Sequence, residues 1–218
     1  YKGYVKVIEG LENTLKIAIL GLVIGIVIGT LIATIRVIPK YKLLPRVLNS
    51  ICTFYVGFFR GTPMVAQLLV FYYVMLPLLG LKMTSVSVAI CVFGLNSGAY
   101  ISEIMRAGIL SVDPGQMEAG RSLGFNYVQT MWHIIIPQAL KNVLPALANE
   151  FIVLLKETSV AGYVAVVDVT KAATNIRNKT YDAVNPIILL ALIYLVMVVA
   201  LTRLLAVMER RLRKSDGK

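Results

Sequence analysis

The fold is decided by a stretch of nineteen uncharged residues at Ile17–Ile35, which reads IAILGLVIGIVIGTLIATI. A helix needs about 20 mainly apolar residues to cross the hydrocarbon core of a bilayer. A helix also satisfies its own backbone hydrogen bonds there. The stretch therefore predicts a transmembrane helix. Its glycines, Gly21, Gly25 and Gly29, recur every fourth residue and predict a face on which another helix packs closely, within the subunit or between subunits.

Four further segments predict spans of the same kind. Three of them are uncharged stretches of 20 or 21 residues: Gly61–Leu81, Met83–Ser102 and Ala183–Thr202. The fourth, Asn142–Leu155, contains Glu150 but presents a broad apolar surface when it forms a helix. We therefore expect an all-α polytopic membrane protein with five transmembrane helices, folded as a single transmembrane domain over residues 1–218. The expected spans lie at about 15–36, 61–81, 83–104, 140–160 and 183–205.

The composition excludes several other classes of protein. The chain of 218 residues is 58% hydrophobic and 15% charged, with a mean hydropathy of +0.78. Average globular proteins carry about 25% charged residues. The apolar excess excludes a disordered chain, a coiled coil and an ordinary soluble enzyme. The net charge of +11 comes from basic residues between the apolar stretches, so we expect them to set the membrane topology and not to bind nucleic acid.

The basic residues are distributed unevenly between the two sides of the five-span topology. The connection after the first span carries Arg36, Lys42 and Arg46 without an acid, and the C-terminal tail is also strongly basic. Cytoplasmic connections of membrane proteins are enriched in Lys and Arg. The sequence therefore places the N-terminus outside and the C-terminus in the cytoplasm. No secretory signal sequence is evident, and because the chain opens on Tyr1 and not on Met, we expect further residues upstream.

Motifs for catalysis and metal binding are missing from the sequence. It contains no phosphate-binding G-x-x-x-x-G-K-[ST] loop and no Ser–His–Asp arrangement with supporting context. His133 has no cysteine or second histidine near it, so no metal site is predicted. Cys52 and Cys91 lie in or beside apolar stretches, and we expect them to be apolar filler without a disulfide. The expected chain is not an enzyme, holds no cofactor and does not hydrolyse ATP alone.

The connection between the third and fourth predicted spans carries the strongest functional signal. It is about 40 residues long, and connections of that length tend to be functional. It opens with a turn and helix-start signal at Asp113-Pro114-Gly115. Apolar or small residues then recur at steps of three and four, at Met117, Gly120, Gly124, Val128, Met131 and Ile135. This pattern predicts an amphipathic helix on the cytoplasmic membrane surface, and Gly124 predicts a bend that makes it a helix–turn–helix.

Within this connection, Glu118–Pro137 reads EAGRSLGFNYVQTMWHIIIP. The stretch resembles the EAA loop of ABC importer permeases, whose pattern is E-A-A, three residues, G, nine residues, I, any residue and L-P. The residues that match at the right spacing are Glu118, Ala119, Gly124, Ile134 and Pro137. Gly120 stands in place of the third alanine, and Ile136 stands in place of the leucine. We call residues 113–137 the coupling loop, after the role that the resemblance implies.

Three other motifs narrow the resemblance. Phe59–Pro63 reads FRGTP, Asn96–Glu103 reads NSGAYISE, and Lys156–Val160 reads KETSV. The first two resemble elements of polar-amino-acid permeases, and the third resembles the KDTSL element of the same group, with Glu157 in place of the usual Asp. The likeness covers about residues 10–210. The chain resembles a permease subunit of the histidine, glutamine or arginine importer type.

The resemblance implies a type I importer in the bacterial inner membrane. In this family two permease subunits form the pore, as a homodimer or a heterodimer, and two ATPase subunits bind ATP and Mg²⁺ in the cytoplasm. An external solute-binding protein delivers the substrate, and the polar segment Asp168–Asp182 is either the surface on which it docks or an ordinary solvated loop. The coupling loop inserts into a groove on each ATPase, through Glu118, Ala119, Arg121 and Gly124. The alternative is that Glu118 only stabilises the first helical turn.

Polar residues within and beside the predicted spans are candidates for the substrate site, because ionisable groups in a span usually face a cavity or a partner. We expect a midplane cavity that binds a zwitterionic amino acid, formed by Glu103, Glu157, Asn96, Tyr100, Thr62, Gln67, Thr158 and Ser159. Carboxylates would receive the substrate ammonium, and hydroxyls, amides and backbone N–H groups would receive its carboxylate. Glu150, on nearly the same helical face as Glu157, ranks below these residues. The alternative is that the acids form ion pairs with Arg106, Lys141 or Lys156.

The resemblance implies transport by alternating access, in which closure of the ATPases is passed through the coupling loops to the spans. Carboxylates in the cavity suit a basic substrate such as arginine or histidine, although glutamine needs only one acid for its ammonium. Two other functions stay open: a secondary transporter or channel that works without an ATPase, and a membrane scaffold that holds an ATPase without moving solute. A secondary transporter would need inverted repeats or ion-coupling residues, and the sequence shows no convincing internal repeat.

Overall fold

The computed structural model describes residues 3–39 and 41–214. The helices along this part of the chain are α1 (Gly3–Val37), α2 (Leu43–Gly61), α3 (Met64–Val70), α4 (Leu76–Leu79), α5 (Ser85–Leu110), α6 (Pro114–Ser122), α7 (Tyr127–Thr130), α8 (Ile136–Glu157), α9 (Val169–Thr180) and α10 (Asn185–Lys214). π-helical turns at Phe71–Met75 and Met131–Ile135 join α3 to α4 and α7 to α8, and a 3₁₀ helix, Thr158–Val164, follows α8. The described residues contain no strand, in agreement with the expected all-α class.

Helices of membrane-spanning length and hydropathy are fewer than predicted. Those that are long and apolar enough are Gly3–Val37, Ser85–Leu110 and Asn185–Val207. The count rises to four if α2 and the segment Met64–Leu79 form one span, although they meet at an angle of 106°. Helix α8 is not among them and carries charged side chains at Lys141, Glu150, Lys156 and Glu157. The described residues thus contain three or four such spans, and the five-span arrangement stays a prediction.

The region between the first two predicted spans is a helix, whereas the sequence analysis treated it as a connection. Helix α2 packs on α1 and α5 and buries Cys52 and Val56 in that contact. The chain changes direction at Thr62, which has extended backbone angles. An extended conformation is favoured there because Pro63 disfavours the α conformation in the residue before it. The helix predicted at 61–81 therefore starts after this break.

Helices α1 and α5 share the most extensive contact among the described elements. The buried side of α1 includes the glycines of the predicted packing face, Gly21, Gly25 and Gly29. A Cβ atom added at Gly25 would lie 2.9 Å from the Cβ of Ser97 on α5. The contact is reciprocal, since a Cβ atom added at Gly94 of α5 would lie 2.6 Å from Cγ2 of Ile24. The predicted packing face is confirmed, and it lies within the subunit.

The other helices complete a bundle around this pair. One buried apolar cluster joins α1, α3, α5, α8 and the 3₁₀ helix through Ile17, Leu68, Phe93, Leu154 and Val164. Helix α9 contacts the N-terminal part of α1, where a Cβ atom at Gly10 would lie 2.7 Å from the backbone oxygen of Asp168. Helix α10 contacts α8 and α9, and its apolar side chains, such as Leu192 and Val196, are exposed. An apolar exposed surface on a helix of this length fits contact with lipid.

Candidate functional site

A hydrogen-bonded network holds the break between α2 and α3. The amide nitrogen of Gln67 donates to the backbone oxygens of Phe59 (2.8 Å) and Thr62 (3.0 Å) and to Oγ1 of Thr62 (2.8 Å). The amide nitrogen of Asn96 donates to Oε1 of Gln67 (3.0 Å) and to the backbone oxygen of Phe59 (3.2 Å). Both amide side chains are buried. They supply donors to backbone carbonyls that the break deprives of helical partners, which a bilayer core would otherwise leave unsatisfied.

Tyr100 lies one turn beyond Asn96 on α5 and makes a different contact. The guanidinium carbon of Arg60 lies 5.3 Å from the centroid of the Tyr100 ring, within the range of a cation–π interaction. Arg60 stands in the last turn of α2. The residues Arg60, Thr62, Gln67, Asn96 and Tyr100 therefore gather at one point of the bundle, and we call them the break cluster.

A second polar region lies on α8 around Glu150. Glu150 is 9% exposed, and its carboxyl accepts a hydrogen bond from Ser97 of α5, with Oγ 3.2 Å from Oε1. The described residues form no ion pair with it. A buried carboxylate without a cation is costly, above all within a membrane. This arrangement makes Glu150 a candidate for binding a cationic group of a substrate.

The KETSV motif lies at the end of α8. Glu157 is the last residue of the helix and is half-buried, whereas Lys156 is exposed. Thr158 is fully buried, and its hydroxyl donates to the backbone oxygen of Leu155 (2.7 Å). The 3₁₀ helix that begins here packs against α3. The motif thus lies beside the helix that leaves the break cluster.

A cavity of about 260 Å³ lies beside the 3₁₀ helix, and its lining includes Ser159, Asp168 and Lys171. Asp168 is fully buried and caps α9, because its carboxylate accepts hydrogen bonds from the backbone N–H groups of Thr170 (3.1 Å) and Lys171 (2.9 Å). Burial raises the pKa of the Asp168 carboxyl above its ordinary value, and these hydrogen bonds oppose the rise. This capping role was not predicted, although an Asp at the start of a helix is a typical N-cap.

Glu103 lies in a different environment, six residues beyond Ser97 and thus about 9 Å along α5. Its carboxylate forms one ion pair with Arg36 of α1 and another with Arg106, at 2.9 Å. The side chains of Arg36 and Glu103 are 13% and 20% exposed. The ion-pair alternative therefore describes Glu103 in this structure, with Arg36 as a partner that the sequence analysis did not name. A carboxylate between two guanidinium groups has its charge already compensated.

The coupling loop forms the helix–turn–helix that the sequence predicts. Asp113 caps α6 by accepting a hydrogen bond from the N–H of Gly115 (2.7 Å). Gly124 has a φ of +88°, a left-handed conformation that glycine adopts without strain, and it separates α6 from α7. Helix α7 begins with a capping box in which Asn126 and Gln129 bond each other's backbone N–H. Local sequence therefore specifies both helix starts and the turn.

Gly120, the departure from the EAA pattern, has a packing reason. A Cβ atom at this position would lie 2.6 Å from Cγ2 of Thr130 and 2.9 Å from Cδ1 of Ile134. Gly120 and Thr130 are both buried. Glycine therefore lets α6 pack directly on the returning arm of the loop, and an alanine would require that arm to move.

The two sides of the coupling loop differ. The residues expected to contact an ATPase are all exposed: Glu118, Ala119, Arg121 and Gly124. On the other side, the Tyr127 hydroxyl donates to the backbone oxygen of Val37 at the end of α1 (3.5 Å). Burial raises the pKa of Tyr127 above its ordinary value. The loop thus presents an exposed surface of mixed polar and apolar residues and is attached to the bundle through its opposite side.

The structure sorts the predicted substrate residues into separate groups. Four of them share the break cluster: Thr62, Gln67, Asn96 and Tyr100. Three lie at the end of α8: Glu157, Thr158 and Ser159. Glu103 lies in neither group. Glu150, which the sequence ranked below these residues, is buried in contact with Ser97. Within residues 3–39 and 41–214, no set of His, Cys, Asp or Glu side chains is arranged to hold a metal ion.

Sequence comparison relates almost the whole chain to known transport proteins. Residues 21–214 match the family described as "Binding-protein-dependent transport system inner membrane component". The chain is 38% identical over 210 residues to the arginine transport system permease protein ArtQ of Bacillus subtilis (strain 168), which covers 96% of this chain and 94% of ArtQ. It is 37% identical over 206 residues to the putative glutamine transport system permease protein GlnP of Rickettsia bellii (strain RML369-C), covering 94% and 92% of the two chains.

Solved structures share the fold. A chain in the crystal structure of an amino acid ABC transporter with histidines is 40% identical, with a TM-score of 0.87 and 94% of each chain covered. The MetNI methionine ABC transporter in an inward-facing conformation has a TM-score of 0.77 at 17% identity, over 94% of this chain and 95% of the other, which shows likeness of fold alone. Permeases of this class are multi-pass inner-membrane proteins that work with an ATPase and a solute-binding protein. The chain therefore belongs to the family of inner-membrane components of binding-protein-dependent transport systems, as a permease subunit of an ABC importer and not an enzyme.

Proposed function

We propose that the chain forms the translocation pathway for a polar amino acid and prefers a basic one. The observation that carries the proposal is Glu150, which is buried, hydrogen-bonded by Ser97 and without a cationic partner among the described residues. The ammonium or guanidinium group of a substrate would supply the missing positive charge. The relatives that are named for arginine and glutamine transport support this substrate class.

The end of α8 extends the proposed site. Glu157 lies about 10 Å beyond Glu150 along the helix and offers a second carboxylate, which suits a substrate with two positive groups. Ser159 follows with a hydroxyl group for the substrate carboxylate, whereas the buried Thr158 hydroxyl already donates to the backbone oxygen of Leu155. The break cluster supplies the other polar side chains proposed along the same pathway, on a different face of α5 from Ser97. Glu103 is not part of this proposed site, since two arginines already pair with it.

The proposed assembly has five spans per permease, with the N-terminus outside and the C-terminus in the cytoplasm. Two permease subunits, identical or different, form the pore, and two ATPase subunits bind ATP and Mg²⁺. The exposed side of the coupling loop fits a groove on the ATPase as a helix-in-groove contact. The polar segment Asp168–Asp182 faces the solute-binding protein. The residues proposed at the ATPase contact are Glu118, Ala119, Arg121 and Gly124.

The proposed mechanism is alternating access. Closure of the two ATPases on ATP draws the coupling loops together, and the spans follow into an outward-open state. The solute-binding protein then delivers the amino acid to the acids of α8. Hydrolysis returns the spans to the inward-open state. The permease thus converts a cytoplasmic closure into a switch between two arrangements of its helices.

Reconstitution tests the proposal. We expect proteoliposomes that contain the permease, its ATPase and its solute-binding protein to take up radiolabelled arginine or histidine only with ATP, and to take up glutamine less well. Gly120→Leu should abolish this uptake, because the side chain cannot fit between α6 and Thr130. Gly57→Ala is the matched control, since a Cβ atom there meets nothing within 4 Å.

Three outcomes would contradict parts of the proposal. Uptake without ATP would indicate a secondary transporter or channel. Retention of an ATPase without uptake of any amino acid would indicate a scaffold. Faster uptake of glutamine than of arginine and histidine would overturn the preference for a basic substrate.

A further inference from the structure

Helices α1 and α5 pack closely against each other. Their contact is lined by glycines from both sides, and a Cβ atom at Gly29 would lie 2.7 Å from Cγ2 of Ile101. At Gly98, a Cβ atom would lie 2.9 Å from Cγ2 of Ile28. Tightly packed surfaces of this kind keep one arrangement and do not slide continuously. A displacement imposed on one helix of the pair is therefore passed to the other.

The inner end of this pair carries an ion pair between the two helices. Arg36 stands in the last turn of α1, and its guanidinium binds the carboxylate of Glu103 on α5. Arg106, one turn further along α5, binds the other oxygen of the same carboxylate at 2.9 Å. The Glu103 carboxylate is thus held by an arginine on each helix. The ion pair with Arg36 joins α1 to α5 at the end of the helices that lies near the coupling loop.

The coupling loop is attached to this inner end through Tyr127. The Tyr127 hydroxyl donates to the backbone oxygen of Val37, the residue after Arg36 and the last residue of α1. The last carbonyl groups of an α-helix have no donor within the helix, so Tyr127 supplies a partner from another element. The contact joins residues that lie 90 positions apart in sequence.

The coupling loop is also joined to the bundle at its two ends, since it follows α5 and precedes α8. Beside these ends, the amide nitrogen of Asn142 in α8 donates to Oγ of Ser111, just after α5 (2.9 Å). Neither connection involves α1. Tyr127 is a direct contact between the coupling loop and α1, next to the ion pair that links α1 to α5.

We propose that Tyr127 and the Arg36–Glu103 ion pair join α1 to the coupling loop, so that the loop moves the inner ends of α1 and α5 as one unit. These are positioning residues: they touch neither substrate nor nucleotide and act through the helices that they hold. The inference rests on the proposed function, in which an ATPase moves the loop.

The test uses the complete complex in proteoliposomes, with Tyr127→Phe and Glu103→Gln as the variants. Four quantities are measured: the ATPase subunit retained on purification, the rate of ATP hydrolysis, the KM for uptake, and the amino acid transported per ATP hydrolysed. We expect retention of the ATPase and an unchanged KM, with transport per ATP falling about threefold or more. Arg36→Lys, which keeps the positive charge, should retain more transport per ATP than Arg36→Gln.

Two matched controls separate this role from general damage. Tyr41→Phe removes a hydroxyl from a side chain that is 92% exposed. Glu12→Gln removes one carboxylate from the exposed ion pair with Lys16. Both controls should leave transport per ATP unchanged.

An unchanged amount of amino acid transported per ATP in Tyr127→Phe and Glu103→Gln would overturn the inference, whether or not these variants retain the ATPase. If Glu103→Gln does not assemble, the more conservative Tyr127→Phe decides. A wild-type complex that retains no ATPase contradicts the proposed function itself and overturns the inference with it. That failure is visible at purification, before any ratio is measured.

Discussion

Two acids within the helix bundle lie in opposite electrostatic surroundings. Glu103, in the C-terminal half of α5, lies between the guanidinium groups of Arg36 and Arg106. Glu150, in the middle of α8, is more deeply buried and accepts a hydrogen bond from the Ser97 hydroxyl. The first carboxylate holds two helices together, whereas the second has no cationic partner among the described residues, and we propose that a substrate supplies one. The side chains that contact an acid in a predicted span therefore distinguish a structural ion pair from a candidate substrate ligand.

The largest effect should follow from removing the uncompensated charge. We expect Glu150→Gln to reduce uptake of a basic amino acid about tenfold or more, because truncating one partner of a buried charge pair typically costs about 2–5 kcal/mol of binding. The free energy of unfolding should not fall, since the change also removes an unpaired buried charge. Initial uptake rates and denaturant unfolding in detergent measure the two effects. Unchanged uptake by Glu150→Gln would remove this residue from the substrate site.

A smaller effect, on stability, should follow at the other acid. We expect Glu103→Gln to lower the free energy of unfolding by about 1–3 kcal/mol, because it leaves Arg36 without its carboxylate. This is less than for a fully buried pair, since the Glu103 side chain keeps 20% of its exposure and solvent screens it. Unfolding in detergent by increasing denaturant measures the change. A loss of substrate affinity without a loss of stability would reverse the roles of the two acids.

Asp168 is a third buried acid, and it differs from the two glutamates because backbone N–H groups donate to its carboxylate. We expect Asp168→Ala to lower the free energy of unfolding by about 1 kcal/mol through loss of the N-cap, and Asp168→Asn to change it little. Thermal unfolding of the two variants measures this difference. Equal losses in both would show that the negative charge, and not the cap, stabilises α9.

The smallest expected effect is the contribution of Asp168 to the pH dependence of the unfolding free energy. Burial raises the pKa of Asp168 in the folded state, so the folded protein binds its proton at a higher pH than the unfolded chain does. The stability contributed by this group is therefore greatest at low pH and is lost as the pH rises through the folded pKa. Asp168→Asn should remove that slope from a plot of unfolding free energy against pH. A slope of the opposite sign in the wild type, absent from the variant, would contradict the assignment.

Local patterns predicted much of this molecule. The glycines of α1, the helix start at Asp113 and the turn at Gly124 follow from residues close together in sequence, and the structure shows each of them. Helix α2 was not predicted because the uncharged stretch between Arg46 and Arg60 is 13 residues long, which is too short to span a bilayer. Its apolar residues instead suit a helix that packs on one face.

Partners that come from distant parts of the chain were not predictable in the same way. Glu103 meets Arg36 across 67 positions, and Glu150 meets Ser97 across 53. Nothing in the neighbourhood of either acid in sequence specifies that contact, since it depends on how α1, α5 and α8 pack. The packing of distant helices therefore determines that Glu103 has arginines beside it and that Glu150 has the Ser97 hydroxyl.

Equilibrium binding of radiolabelled arginine to the purified complex shows which acid binds the substrate, with Glu150→Gln and Glu103→Gln measured beside the wild type. We expect Glu150→Gln to weaken binding about tenfold or more and Glu103→Gln to leave the dissociation constant unchanged. Weaker binding in Glu103→Gln together with unchanged binding in Glu150→Gln would contradict this expectation.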